Sequence, residues 1–213
     1  MNKKFILMII FAMTSILCIK SVEAKQYKVA ILIYQDVFLM DFCGPLEIFN
    51  DASKEDTPLF EVFTVSPENK SIKSHTNTEI TANYTIDNCP MPDILVIPGG
   101  NLNLASENKK LADWIKNTSF KSKITMSVCT GAFILADLGM LDNLEATTWY
   151  GANERLQKKF PKIKVVSGKR YTDNGKIITT AGVSGGVDGA LHVVETLFGK
   201  ETAQKTAKFI EWK

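Results

Sequence analysis

Short runs that are apolar almost throughout alternate along the chain with stretches of helical period. Tyr27 to Tyr34 (YKVAILIY), Asp93 to Pro98 (DILVIP) and Lys123 to Val128 (KITMSV) lack the in-out alternation of a half-exposed strand, which predicts strands buried on both faces. Helix-period segments lie between them: Gly44 to Asp51 after a turn, Glu107 to Asn117 with Leu111, Trp114 and Ile115 on one face, and Gly131 to Leu138. Phe60 to Val65 (FEVFTV) alternates and reads as a further strand, whereas the polar Lys70 to Thr85 reads as a small hairpin or irregular excursion. Ile163 to Val166, Lys169 to Thr172 and Ile177 to Thr180 are short strand candidates, with a hairpin-turn signal at Asn174-Gly175 between the last two. Two helices follow, Val187 to Phe198 and Glu201 to Ile210, broken at Gly199. Strands alternating with helices imply an α/β fold with a mostly parallel sheet covered on both faces.

Composition narrows the class. With 213 residues, 45% hydrophobic, the chain has enough apolar surface for one core, and neither an internal repeat nor a composition break supports a second domain. The balance of 25 Lys+Arg against 23 Asp+Glu excludes a polybasic nucleic-acid binder. The surplus sits at the N-terminus, where Lys3, Lys4 and Lys20 face only Glu23 around the apolar run Phe5 to Ile19, followed by Val22-Glu23-Ala24. This pattern predicts a secretory signal peptide over residues 1–24, with small residues at the cleavage-recognition positions, and an exported, periplasmic or secreted domain over 25–213. The run is short for a membrane span, which needs about 20 apolar residues, so no membrane association is expected after cleavage. Removing three basic residues and one acidic residue leaves 22 of each, a neutral domain. Leu17 before Cys18 disfavours lipoprotein processing, and Cys43, Cys89 and Cys129 remain, an odd count that points to a functional thiol. No spacing suggests a metal site.

Three strand ends carry chemistry, where an open parallel sheet places its ligands. In Ser127-Val128-Cys129-Thr130-Gly131 an apolar strand stops at a cysteine and a helix starts at once, the layout of a nucleophile elbow. The helix N-terminus behind Cys129 favours a thiolate, although a lone cysteine also reads as a small buried hydrophobe. In Pro98-Gly99-Gly100 two glycines let backbone approach a ligand, and the N–H groups of Gly100 and Thr130 would form an oxyanion hole if the strands are neighbours. Asp41 lies among apolar residues just ahead of the helix opened by Pro45, placed either to share a proton with a thiol or to cap the helix. Glu47 then falls in the first helical turn, where the dipole accounts for an acid as readily as catalysis does.

Together, D-x-x-G-P-x-E at Asp41 to Glu47, I-P-G-G at Ile97 to Gly100, V-C-T-G-A at Val128 to Ala132, A-T-T at Ala146 to Thr148 and T-A-G-V-S-G-G-V-D at Thr180 to Asp188 resemble the ThiJ/PfpI superfamily. Within it the chain most resembles the isonitrile hydratase branch and the amidotransferase-like sensor domains of some transcription regulators. The resemblance implies a flavodoxin-like three-layer sandwich, usually a homodimer, that needs no cofactor. It puts the nucleophile on Cys129, the acid on Asp41, the assisting threonine on Thr130 and the oxyanion donors on the backbone of Gly100 and Thr130, with Gly99 and Trp149 as further pocket positions. Cys43, two positions from Asp41 where that branch commonly has another residue, is a further pocket position by its spacing, with burial in the turn the simpler account. Trp149 stands where many relatives have a histidine. With His75 in the polar excursion and His192 assigned to helical packing, the residues argue against a Cys-His dyad.

The resulting expectation is a cysteine-dependent hydratase or lyase that converts a small uncharged isonitrile to an N-substituted formamide. The alternatives are glyoxalase-like or deglycase-like chemistry on an α-oxoaldehyde, and a non-enzymatic thiol stress sensor or ligand-binding protein. No nucleic-acid partner is expected, since a regulator would need a DNA-binding domain for which the chain past the second late helix has no room.

Overall fold

The computed structural model describes residues 25–68 and 70–213, so the proposed signal segment lies outside the described residues. The strands are β1 (Tyr27–Leu32), β2 (Ser53–Lys54), β3 (Thr57–Pro58), β4 (Phe60–Ser66), β5 (Ser71–Lys73), β6 (Glu79–Thr81), β7 (Tyr84–Thr85), β8 (Ile94–Ile97), β9 (Ile124–Val128), β10 (Glu145–Ala146), β11 (Lys164–Val165), β12 (Tyr171–Asp173) and β13 (Ile177–Thr180). The helices are α1 (Leu39–Asp51), α2 (Leu104–Glu107), α3 (Lys109–Lys121), α4 (Gly131–Asp137), α5 (Asn153–Lys159), α6 (Gly185–Phe198) and α7 (Lys200–Phe209).

Seven strands form the central sheet in the order β12-β13-β9-β8-β1-β4-β7. All its pairings are parallel except that of β12 with β13. The unbroken apolar runs account for this arrangement: β8 and β9 are buried at every position, and β1 from Val29 onward. Helices α1 and α6 pack on each other and on the sheet with α7 outside them, while α2, α3 and α4 gather over β8 and β9, making a helix–sheet–helix sandwich. The polar excursion is a small antiparallel hairpin, β5 with β6.

Helix α1 departs from expectation. It begins at Leu39, not at the Pro45 that usually marks a first turn, so Pro45 lies inside it and leaves the Asp41 carbonyl without its usual amide partner. Asp41 is therefore in the first turn, and Glu47 is not: it is exposed well along the helix, too far from either end for the dipole to account for it. The predicted helix from Glu107 divides at Asn108, whose extended backbone starts α3 and whose side chain accepts from the Leu111 N–H at 3.0 Å. The strand predicted at Ile163 to Val166 stays outside the main sheet and pairs with β10.

Candidate active site

The order of strands brings the three chemistry-bearing ends together, because β1, β8 and β9 are adjacent and parallel. At the end of β9 the chain turns in one residue, and Cys129 takes a left-handed φ of 55°. That turn tucks beneath the neighbouring strand so closely that a Cβ on Gly131 would stand 2.1 Å from the Ile97 carbonyl oxygen. The A-T-T segment locks the turn from the other side, where the Thr148 hydroxyl donates to the Cys129 carbonyl at 2.6 Å.

Asp41 reaches the same point from α1. Its side chain has no exposed surface, and each oxygen accepts a backbone hydrogen bond: Oδ2 from the Gly99 N–H at 3.0 Å and Oδ1 from the Val183 N–H at 3.1 Å. Gly99 must be glycine here, since a Cβ would lie 2.5 Å from Asp41 Oδ2. Val183 presents its N–H from a left-handed turn with φ of 53°, unusual for a β-branched residue. Behind this arrangement the buried Tyr34 hydroxyl donates to the Pro98 carbonyl at 2.7 Å and steadies the P-G-G loop.

Burial raises the Asp41 pKa, opposed chiefly by the hydrogen bonds from the Val183 and Gly99 N–H groups. For Cys129, burial first and the Asp41 charge second push the thiol up to about 12, while the backbone and hydroxyl of Thr130 act the other way. The helix N-terminus does not win, so the resting cysteine is a thiol and not the thiolate that the elbow suggested. Of the two expected oxyanion donors, the Gly100 N–H is already donated to Thr130 Oγ1 at 3.1 Å, and the Thr130 N–H faces the cysteine sulfur.

Cys129, Asp41, Thr130 and Gly100 open into a cavity of about 670 Å³. Its apolar walls are Phe38, Leu39, Met40, Leu102, Trp149 and Val183, and no lysine or arginine lines it. Trp149 covers the cysteine as a pocket position should, its indole packed so closely on Gly182 that a Cβ there would meet the ring at 2.8 Å and Cys129 Sγ at 3.1 Å. Cys43 is a correction: it does not line the cavity, because two residues along a helix turn it about 200° away from Asp41. His75 is the opposite case, brought to the cavity by the β5–β6 hairpin although nothing in the local pattern marks it. His192 packs from the late helix, its ring stacked on Tyr171, and its Nε2 also lies 2.7 Å from Asp173 Oδ2. It borders a second cavity, of about 680 Å³, whose lining includes no cysteine, serine or threonine. The cysteines at 43, 89 and 129 are free thiols, and no cluster of metal-ligating side chains occurs among the described residues.

The model of the DJ-1/PfpI family matches residues 27–196. An isonitrile hydratase of Pseudomonas putida is 27% identical over 187 residues, 87% of this chain and 78% of that protein. An HTH-type transcriptional regulator of Pseudomonas aeruginosa, GbdR, is 23% identical over 74% of this chain, a match confined to 42% of the regulator. Among solved structures, a ThiJ/PfpI family protein from Pseudomonas syringae superposes with a TM-score of 0.78 at 26% identity, covering 89% of this chain and 76% of that one. Drosophila melanogaster DJ-1beta superposes at 0.76 with 18% identity over 89% of this chain and 100% of that one, a likeness of fold alone.

Proposed function

The chain belongs to the DJ-1/PfpI family, and from that premise we propose that it is a cysteine-dependent hydratase converting small uncharged isonitriles to N-substituted formamides. The observation that carries this reading is the buried Asp41 carboxyl group, held by two backbone N–H groups beside the Cys129 thiol at the floor of a largely apolar cavity. A carboxylate whose pKa is raised by burial accepts the thiol proton more readily than an exposed one would. Sulfur then attacks the terminal isonitrile carbon, the S–C bond forms, and Asp41 returns the proton to that carbon to give a thioimidate. Addition of water and loss of sulfur release the formamide and restore the thiol, so the net change is the addition of one water. Similarity to the Pseudomonas putida isonitrile hydratase over most of both chains supports the same chemistry.

The test is direct. Purified protein incubated with an alkyl isonitrile is expected to release the N-substituted formamide, and Cys129→Ala to abolish release. Turnover no greater than that of Cys129→Ala would overturn the proposal. A second reading, addition of the thiol to an α-oxoaldehyde, gains from His75, because a histidine does reach the cavity after all. Methylglyoxal consumption under the same conditions separates the two. The raised thiol pKa weighs against a peroxide sensor, which depends on a thiolate.

A further inference from the structure

Hydration through a thioimidate has two halves, and each needs a group that moves a proton. Three titratable side chains line the cavity: Asp41, His75 and Cys129. Asp41 is committed to the first half, because it has no exposed surface and its oxygens accept from the Gly99 and Val183 N–H groups. His75 is the titratable group of the cavity wall that this leaves for the second half.

His75 is exposed at the turn of the β5–β6 hairpin, and the backbone ties it to the segment that carries the acid. Its N–H donates to the Val37 carbonyl at 3.1 Å, the Asp36 N–H donates to the Lys73 carbonyl at 2.8 Å, and its ring packs on Phe38 at 4.4 Å. Nδ1 lies 3.4 Å from the same Val37 carbonyl, a contact that places the proton of the neutral ring on Nδ1 and leaves Nε2 a free acceptor. Of the titratable groups near the ring, Asp41 on α1 and Cys129 at the elbow line the same cavity, while Asp36 and Lys73 flank the hairpin base.

Resting on the hydratase reading above, we propose that His75 is the catalytic base of the second half-reaction. Nε2 takes a proton from the attacking water as its oxygen bonds to the thioimidate carbon, and passes that proton to the substrate nitrogen. In the collapse that follows, the C–S bond breaks, the remaining hydroxyl proton leaves through the same imidazole, and the sulfur recovers it as the Cys129 thiol. No co-reactant other than water is consumed.

The experiment follows formamide release and the intact protein mass after mixing an alkyl isonitrile with unsubstituted protein, His75→Gln and His75→Ala. Release is expected to slow by about 10²-fold or more in both variants, with a one-isonitrile adduct accumulating on Cys129, and added imidazole is expected to restore turnover to His75→Ala. Turnover unchanged in the variants would overturn the role. So would lost turnover without an accumulated adduct and without imidazole rescue, the signature of a merely structural histidine. If the unsubstituted protein yields neither adduct nor formamide, the hydratase reading falls and this role falls with it.

Discussion

At Asp41 burial and backbone hydrogen bonding pull in opposite directions, and burial wins. The same burial, with the Asp41 charge added, keeps Cys129 protonated at neutral pH. The sign of a test follows: below a pKa of about 12 the thiolate fraction rises about tenfold per pH unit, so alkylation of Cys129 by iodoacetamide should climb through pH 10 without levelling. A plateau near neutrality would contradict the resting thiol. Replacing Asp41 by Ala removes a charge that raises the thiol pKa, so alkylation at about pH 8 should become faster while formamide release falls by about 10²-fold or more. Both rates falling together would mean that Asp41 holds the elbow rather than the proton.

The elbow and the turn after β13 are strained in different ways, and two substitutions separate them. Gly131→Ala drives a methyl against the Ile97 carbonyl. Overpacking of this kind costs about 1–3 kcal/mol, enough to lower the melting temperature by about 2–12 °C for a domain of this size. Val183 is instead a β-branched residue in a left-handed turn, with 47% of its surface exposed. Val183→Asn keeps the N–H that holds Asp41 and suits the backbone better, so the melting temperature is expected to rise by about 2–4 °C, or about 1 kcal/mol. A fall in calorimetric melting temperature would show that the valine side chain contributes more than its backbone costs. Both motifs are visible as sequence, T-G-A at the elbow and G-V-S-G-G after β13. That Val183 serves the acid on α1 is not, because 142 positions separate the two residues and only the sheet order joins them.

For the molecule as a whole, charge is balanced and the cavity carries no cationic side chain from lysine or arginine. An uncharged isonitrile should therefore be bound with little help from long-range fields. Its KM is expected to change less than about twofold between low salt and about 0.5 M. A steep salt dependence would point to an ionic substrate. The proposal that residues 1–24 direct export makes a separate prediction: protein recovered from the exported fraction should begin at Lys25, as read from the mass of its N-terminal peptide. Recovery with Met1 intact would overturn it.

The unbroken apolar runs at Tyr27, Asp93 and Lys123 were enough to name the buried parallel strands, because a strand covered on both faces has no polar position to spare. The strand-to-helix step at Cys129 likewise marked the nucleophile locally, through one residue that turns and one that must be glycine. Relations along α1 were harder. Pro45 looks like a helix start, and that misplaced first turn puts Glu47 at a helix end that it does not occupy, while the two-residue spacing of Cys43 from Asp41 suggests a shared pocket until the helix that carries both is known. Nothing in the pattern around His75 distinguishes it from any polar loop residue, since the hairpin that delivers it is defined by pairing with distant backbone. The protonation state of Cys129 was beyond local reading for the same reason. A helix N-terminus is a feature of adjacent residues, whereas desolvation and the Asp41 charge come from elements that only folding brings beside it, and in a buried site these outweigh the local dipole.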